Sequence, residues 1–320
     1  TGGIRNDVVD ALKPLNIPVL RWPGGCFADV YHWRDGIGPC EKRPKRVNVH
    51  WGMAEEPNTF GTHEFMLFVR ALGAEPYFAC NLGSAPPLET REWIEYCNFA
   101  GSSTLADERR ANGQAEPFGI KYWGIGNENW GCGGNMSPAH YANEFSKYRT
   151  YAYNYSGTQI EAIACGPSDA DWNWTRTVFE TLRSSGKLGS MQAFAAHFYC
   201  GTAGTATKYS IDQWLELLTK AAAIDGLIEG HRGIMDEYDP ERRIKLIYDE
   251  WGTWHPVEEG KPGGGLYQQS TMRDACVAGI TLNSFHNHAD MVAMANIAQL
   301  INVLQSLLLV EETKVVKTPT

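Results

Sequence analysis

Two glutamates stand where strand-like apolar runs give out. One follows Tyr122-Trp123-Gly124-Ile125-Gly126 in the order Asn127-Glu128-Asn129-Trp130, and the other ends Leu246-Ile247-Tyr248-Asp249-Glu250-Trp251-Gly252. A pair of carboxyl groups can split an acetal, one protonating the leaving oxygen while the other attacks the carbon it leaves. Glu128 suits the acid role. Asn127 beside it can donate to a substrate hydroxyl next to the reacting carbon, a contact that strengthens in the transition state. A carboxylate nucleophile must be ionised and held by donors, which suits Glu250 between its aromatic neighbours. Asp249 competes for the same role. Adjacent strand residues point to opposite faces, so the pleat lets only one of the two face a shared site. The plainer alternative for Glu128 is a capped, solvated carboxylate.

The elements that carry these residues are legible as alternating patterns. Strand-like runs are Val19–Trp22, Pro76–Asn81, Lys121–Gly126, Ala162–Gly166, Ala193–Phe198, Lys245–Tyr248 and Met291–Ala295. Helical periodicity covers Val8–Leu15, Thr62–Leu72, Arg91–Phe99, Pro138–Tyr155, Trp174–Arg183, Ile211–Glu229 and Tyr267–Phe285. Near-continuous apolar strands separated by helices imply a parallel sheet covered on both faces. The expected fold class is α/β, a (β/α)8 TIM barrel, whose reacting groups sit at the C-terminal ends of strands. Seven runs are visible where such a barrel has eight, and a helix pattern comes first, so the reading expects strand one to lie upstream. An open doubly wound sheet is the rival; it is disfavoured because no glycine-rich phosphate loop follows any run and polar residues collect at many strand ends. Residues 1–300 are read as the barrel. Residues 301–320, an apolar stretch and a polar tail, are read as the start of a β-rich second domain.

Composition narrows the partners. The 320 residues carry a net charge of −9, which argues against nucleic acid, because phosphate binding draws on clustered Lys and Arg. The one basic cluster, Lys42-Arg43-Pro44-Lys45-Arg46, reads as a solvated loop rather than an anion site. Abundant tryptophan leans towards sugar binding, where flat rings pack on apolar sugar faces, although tryptophan also serves cores. The eight cysteines, Cys26, Cys40, Cys80, Cys97, Cys132, Cys165, Cys200 and Cys276, form no CxxC pair. They read mainly as small hydrophobes in a reducing, cytoplasmic setting. No apolar run reaches transmembrane length, so no membrane partner is expected. His286, His288 and Asp290 could suggest a metal site. They precede the last strand, the wrong end for a barrel site, and lack a helical i, i+4 pair, so neither metal nor cofactor is expected.

The finer text resembles glycoside hydrolase family 51, the α-L-arabinofuranosidases. The resemblance rests on Arg21-Trp22-Pro23-Gly24-Gly25-Cys26-Phe27, Phe60-Gly61-Thr62-His63-Glu64-Phe65, Glu75-Pro76-Tyr77, Tyr122 through Met136, His197-Phe198-Tyr199, Tyr248 through Gly252, and Met294-Ala295-Asn296-Ile297-Ala298-Gln299. It covers nearly the whole chain in order. It implies a barrel whose fourth and seventh strands end in the acid/base and the nucleophile, which the third and sixth visible runs become if one strand lies upstream. By this resemblance Glu128 is the acid/base, Glu250 the nucleophile, and Asn127 the holder of the arabinose 2-hydroxyl. Arg21 and Cys26 would line the sugar subsite, His197 and Tyr199 would orient the nucleophile, and Gln299 would bind a sugar hydroxyl. Taken residue by residue, Arg21 could instead be a buried ion-pair partner, His197 a satisfied core histidine, Cys26 packing and Gln299 a loop residue.

The family also has a substrate-binding glutamate after its first strand and a C-terminal β-sandwich, and neither is found in these 320 residues. The expected reaction is release of terminal α-L-arabinofuranosyl groups with retention, from arabinose-containing oligosaccharides or polysaccharides; the full-length protein is read as a possible homo-oligomer. The alternatives are another retaining glycosidase of the same clan, an endoglucanase or β-xylosidase, and an inactive or sugar-binding relic.

Overall fold

The computed structural model describes residues 2–201, 203–260 and 266–320. The chain divides into two compact units: Thr1–Asn48, Glu55–Gly166 and Asn173–Phe194 in the first, and Val49–Ala54, Pro167–Trp172 and Ala195–Thr320 in the second. In chain order the strands begin with β1 (Val19–Trp22), the short β2 (Arg46–Asn48) and β3 (Ala54–Glu56), then β4 (Glu75–Cys80), β5 (Tyr122–Ile125) and β6 (Glu161–Ser168). They continue with β7 (Ala193–Cys200), β8 (Lys245–Thr253), β9 (Val292–Ile297), β10 (Leu308–Glu311) and β11 (Lys314–Lys317). The main sheet has the order β1-β4-β5-β6-β7-β8-β9.

In the first unit β1, β4, β5 and β6 are parallel neighbours, with Val19 opposite Glu75, Tyr77 opposite Tyr122, and Tyr122 opposite Glu161. The helices of this unit are α1 (Asn6–Leu12), α2 (Thr62–Leu72), α3 (Pro87–Asn98), α4 (Thr104–Ala111), α5 (Pro138–Tyr151) and most of α6 (Trp172–Ser184). The sequence accounts for α2 directly. Phe65, Met66, Phe68, Val69 and Leu72 form one buried stripe, the Glu64 side chain takes the Gly61 N–H at 2.9 Å, and Gly73 closes the helix at φ 72°. For α5, the Ser137 hydroxyl caps and Pro138 opens the first turn. Between sheet and helices lies an aromatic core: Phe78 meets Trp93 edge-on at 4.9 Å and stacks on Trp123 at 5.4 Å. Such pairs add about 0.5–1.5 kcal/mol each beyond their burial.

In the second unit the ends of β6, β7, β8 and β9 alternate with α7 (Ile211–Ala222), α8 (Ile224–Tyr238) and α9 (Met272–Asn287). Ser210 and Gln213 form a reciprocal capping box at the start of α7. Leu217, Ile228 and Met235 from α7 and α8 are fully buried, as are Leu246 and Ile247 of β8 and Val277 of α9. β10 and β11 form a separate antiparallel pair, with Leu308 opposite Lys317.

Seven parallel strands alternating with helices make the β/α pattern of the barrel class expected from the sequence. The helix expectations change in several places: the helix read from Pro138 ends at Tyr151, and the one read from Tyr267 begins at Met272. The stretch Ile211–Glu229 is not one helix, because α7 ends at Ala222 and α8 runs from Ile224 to Tyr238. The helix α4 is additional. Its charged text offers only Leu105 and Ala106 as an apolar face, and it is held by buried Arg109, whose guanidinium donates to the Tyr96 and Phe99 carbonyls at 2.8 Å each.

Candidate active site

In the first unit, the loop after β5 carries Asn127, Glu128 and Asn129. Gly126 and Glu128 both have positive φ, 87° and 45°. A left-handed glutamate is a minority conformation that its surroundings must hold, and such residues gather at functional sites. The holding groups are specific. The Asn127 N–H donates to Asp29 Oδ2 at 2.7 Å, and the Asn129 amide donates to the same oxygen at 3.0 Å and to the Gly133 carbonyl at 2.7 Å. The Trp130 indole donates to the Gly166 carbonyl at 3.2 Å. Glycine at 133 is required here, since a Cβ would lie 2.0 Å from the Asn127 carbonyl oxygen and 2.4 Å from Asp29 Oδ2.

Asn127 is 1% exposed, and its side chain has one filled and one open end. Arg21, on β1, donates through Nη2 to Asn127 Oδ1 at 2.5 Å, while Asn127 Nδ2 is buried without a hydrogen-bond partner. An unpaired buried donor is expensive unless a ligand or water completes it. The Arg21 guanidinium also lies over the Tyr77 ring, 5.6 Å from its centre. Arg21 on β1 thus meets Asn127 in the loop after β5, beside Glu128, although β4 lies between the two strands in the sheet.

Cys26 joins them in a form the sequence reading did not foresee. It sits in the turn after β1 and is disulfide-bonded to Cys132 across a separation of 106 residues. The sulfurs of Cys26 and Cys132 lie 3.9 and 3.4 Å from Glu128 Oε2. Bonded to each other, they have no proton to donate to it. The remaining six cysteines are free, and Cys80, Cys97, Cys165 and Cys200 are buried as small hydrophobes. A bridge closing so long a loop restricts the unfolded chain strongly. Cys132→Ser is therefore expected to cost about 2–5 kcal/mol, read as a lower urea midpoint; an unchanged midpoint under oxidising conditions would show that the bridge contributes nothing.

In the second unit, β7 presents His197 and Tyr199, and β8 presents Asp249 and Glu250. The Tyr199 hydroxyl donates to Glu250 Oε2 at 2.8 Å. His197 Nε2 lies 3.0 Å from Asp249 Oδ1, and its Nδ1 lies 3.7 Å from Glu250 Oε2. Both acids therefore reach one imidazole, contrary to the expectation that the pleat would send them to opposite faces. The register supplies the reason: Tyr248 pairs with Ala295 but Trp251 pairs with Ile297, so β8 spends one more residue than β9 across this step. A bulge of this kind re-aims side chains beside functional sites. His197, Asp249 and Glu250 are all buried. The Trp254 ring meets the Tyr199 ring edge-on at 5.3 Å.

Gln299 is exposed two residues beyond β9, after a cis peptide from Ala298. His288 reaches Asp225 at 3.1 Å, and Asp290 lies 3.5 Å from Arg242. The basic cluster is not simply solvated: Arg43 is buried on Glu64 at 2.9 Å, while Lys45 and Arg46 pair with Glu55 and Asp35 at 2.7 and 2.8 Å. The residue missed outright is Asp29. Its signal was an acid inside the apolar run Phe27-Ala28-Asp29-Val30-Tyr31.

Comparison with known proteins points to one family. The family profile described as "Alpha-L-arabinofuranosidase 1 domain" matches residues 11–214, and "Alpha-L-arabinofuranosidase C-terminal domain" matches residues 249–320. An intracellular exo-α-L-arabinofuranosidase of Bacteroides ovatus is 46% identical over 318 residues, 99% of this chain and 62% of that protein. The crystal structure of the GH51 arabinofuranosidase from Xanthomonas axonopodis pv. citri superposes with a TM-score of 0.96 at 45% identity, covering 100% of this chain and 65% of that one. The arabinose complex of the Thermotoga maritima α-L-arabinofuranosidase gives a TM-score of 0.86 at 34% identity, over 99% and 62% of the two chains. The chain belongs to the glycoside hydrolase family 51 α-L-arabinofuranosidases. It spans a little over three-fifths of the length of these relatives, between 62% and 65%.

Proposed function

We propose that this chain carries the catalytic barrel of a retaining, non-reducing-end α-L-arabinofuranosidase (EC 3.2.1.55) acting on arabinose-containing oligosaccharides or polysaccharides. The observation that carries the proposal is the Arg21–Asn127–Glu128 constellation. A left-handed glutamate stands next to a buried amide whose acceptor is filled and whose donor is open. That open donor is what a sugar 2-hydroxyl beside the reacting carbon would complete.

In the proposed reaction Glu250 attacks the anomeric carbon while Glu128 protonates the departing oxygen. Water deprotonated by Glu128 then releases arabinose from the covalent intermediate, with two inversions giving retention. Tyr199 would hold the Glu250 oxygen through the 2.8 Å hydrogen bond, with His197 beside it. Arg21 would fix Asn127, the Cys26–Cys132 bridge would form apolar wall beside Glu128, and Gln299 would reach a sugar hydroxyl from its exposed position. On the same reading residues 1–300 form the barrel and 301–320 belong to a β-rich domain, in an intracellular protein like its Bacteroides relative.

The test is hydrolysis of aryl α-L-arabinofuranoside against aryl β-glucoside and β-xyloside, with the first-formed anomer read by NMR. Preference for a pyranoside, or an inverted first product, rejects the proposal. Tyr199→Phe removes only a hydroxyl. A hydrogen bond to a charged group is worth about 1.5–3 kcal/mol, so kcat/KM should fall by roughly 10- to 100-fold.

A further inference from the structure

One carboxylate under the candidate acid/base has no part in the chemistry just described. Asp29 ends the 3-10 turn Gly25–Asp29 that follows β1, and it is 2% exposed. Its Oδ1 accepts the Leu82 and Gly83 N–H groups at 2.6 and 2.7 Å, from the loop after β4. Its Oδ2 accepts the Asn127 N–H at 2.7 Å and the Asn129 amide at 3.0 Å, from the loop after β5. Its backbone carbonyl accepts the Ser84 hydroxyl at 2.8 Å. A single side chain thereby joins three strand-end loops and grips the residues immediately before and after Glu128.

The socket is shaped for a carboxylate. Four N–H groups converge on two oxygens, which an ionised acid meets as a pure acceptor; an amide in its place would turn a donor towards donors. Space is also reserved. A Cβ on Gly83 would lie 3.0 Å from Asp29 Cβ, and one on Gly133 would lie 2.4 Å from Asp29 Oδ2. Burial pushes the Asp29 carboxyl up to about 6 while the four hydrogen bonds pull it down. The four donors offset only part of the cost of burial, so the carboxyl stays above its ordinary range.

We propose that Asp29 is the positioning residue for Glu128: by holding the Asn127 N–H and the Asn129 amide it sets the backbone on both sides of the left-handed glutamate and aims its carboxyl at the leaving oxygen. The proposal rests on the reading of Glu128 as acid/base. Asp29 does not touch substrate; it acts through the loop.

The variants are Asp29→Asn, which keeps the shape and replaces one acceptor with a donor, and Asn129→Ser, which removes one of the four donors together with the amide's bond to the Gly133 carbonyl. Each is assayed on a 4-nitrophenyl and on a simple alkyl α-L-arabinofuranoside. The second has a poor leaving group and depends on protonation. Asp29→Asn should lower kcat on the alkyl substrate at least tenfold more than on the nitrophenyl one, with KM little changed. Asn129→Ser should show the same split at about threefold. Hydrogen exchange of peptides spanning 126–134 should rise in both. Equal losses on the two substrates, or no loss, overturn the proposal; if Asp29→Asn does not melt cooperatively, Asn129→Ser decides alone. A wild-type chain that cleaves no arabinofuranoside defeats the acid/base reading instead, and the exchange of 126–134 still reports whether Asp29 holds the loop.

Discussion

Glu250→Ala is expected to remove turnover of aryl α-L-arabinofuranosides by roughly 10⁴-fold or more, the scale on which loss of a covalent nucleophile is felt. The variant should remain folded. Glu250 shares its corner with Asp249, and the two acids lie 3.7 and 3.0 Å from the same imidazole. Truncating one of two neighbouring acids removes a repulsion as well as a hydrogen bond to Tyr199. The melting temperature should stay within a few degrees of the parent, measured beside the kinetics. A small anion such as azide fits the space a carboxylate vacates and attacks from the same side. Added azide should therefore restore turnover in a single displacement and yield the β-configured arabinofuranosyl azide. Residual activity above one part in a hundred without azide, or a rescued product of α configuration, would point to Asp249 or another group as the nucleophile.

Glu128→Ala should produce a different signature, because an acid matters in proportion to how badly the leaving group needs a proton. On alkyl or sugar leaving groups the loss should be about 10²–10⁴-fold. On a dinitrophenyl leaving group, which departs unaided, bond cleavage should be nearly intact. Water attack on the intermediate would then be slow for want of a base, so the activated substrate should give a burst followed by a low steady rate. Identical losses on both substrate classes would falsify the acid role. The Cys26–Cys132 bridge sharpens this prediction, since its sulfurs sit 3.9 and 3.4 Å from Glu128 Oε2 and neither can stand in as a proton donor.

Much of the framework was legible before any coordinates. Each of the seven strand runs read from the sequence overlaps a strand, and α2 matches at both ends, because its apolar spacing, the Glu64 cap and Gly73 all point the same way. Where a local signal was thin, the reading failed. α4 buries little of its own text and survives through Arg109, whose partners belong to a different helix and the residue after it. The break at Ala223 was hidden because α7 and α8 are joined without a glycine or proline to mark the boundary.

The site divides along the same line. Sequence alone determined that Glu128 follows one strand, with Asn127 beside it, because alternation of strand and helix is a local property that the pattern of apolar residues records; Glu250, read as ending its strand, lies within β8, which runs on to Thr253. Only the tertiary structure decided how those residues are held. The disulfide joins residues 106 apart, and Asp29 meets loops that follow two other strands. Such contacts depend on which strands are neighbours in the sheet, which no window of sequence contains. The bulge that lets Asp249 and Glu250 share His197 is decided by β9, forty-odd residues away, since a strand's register exists only relative to its partner.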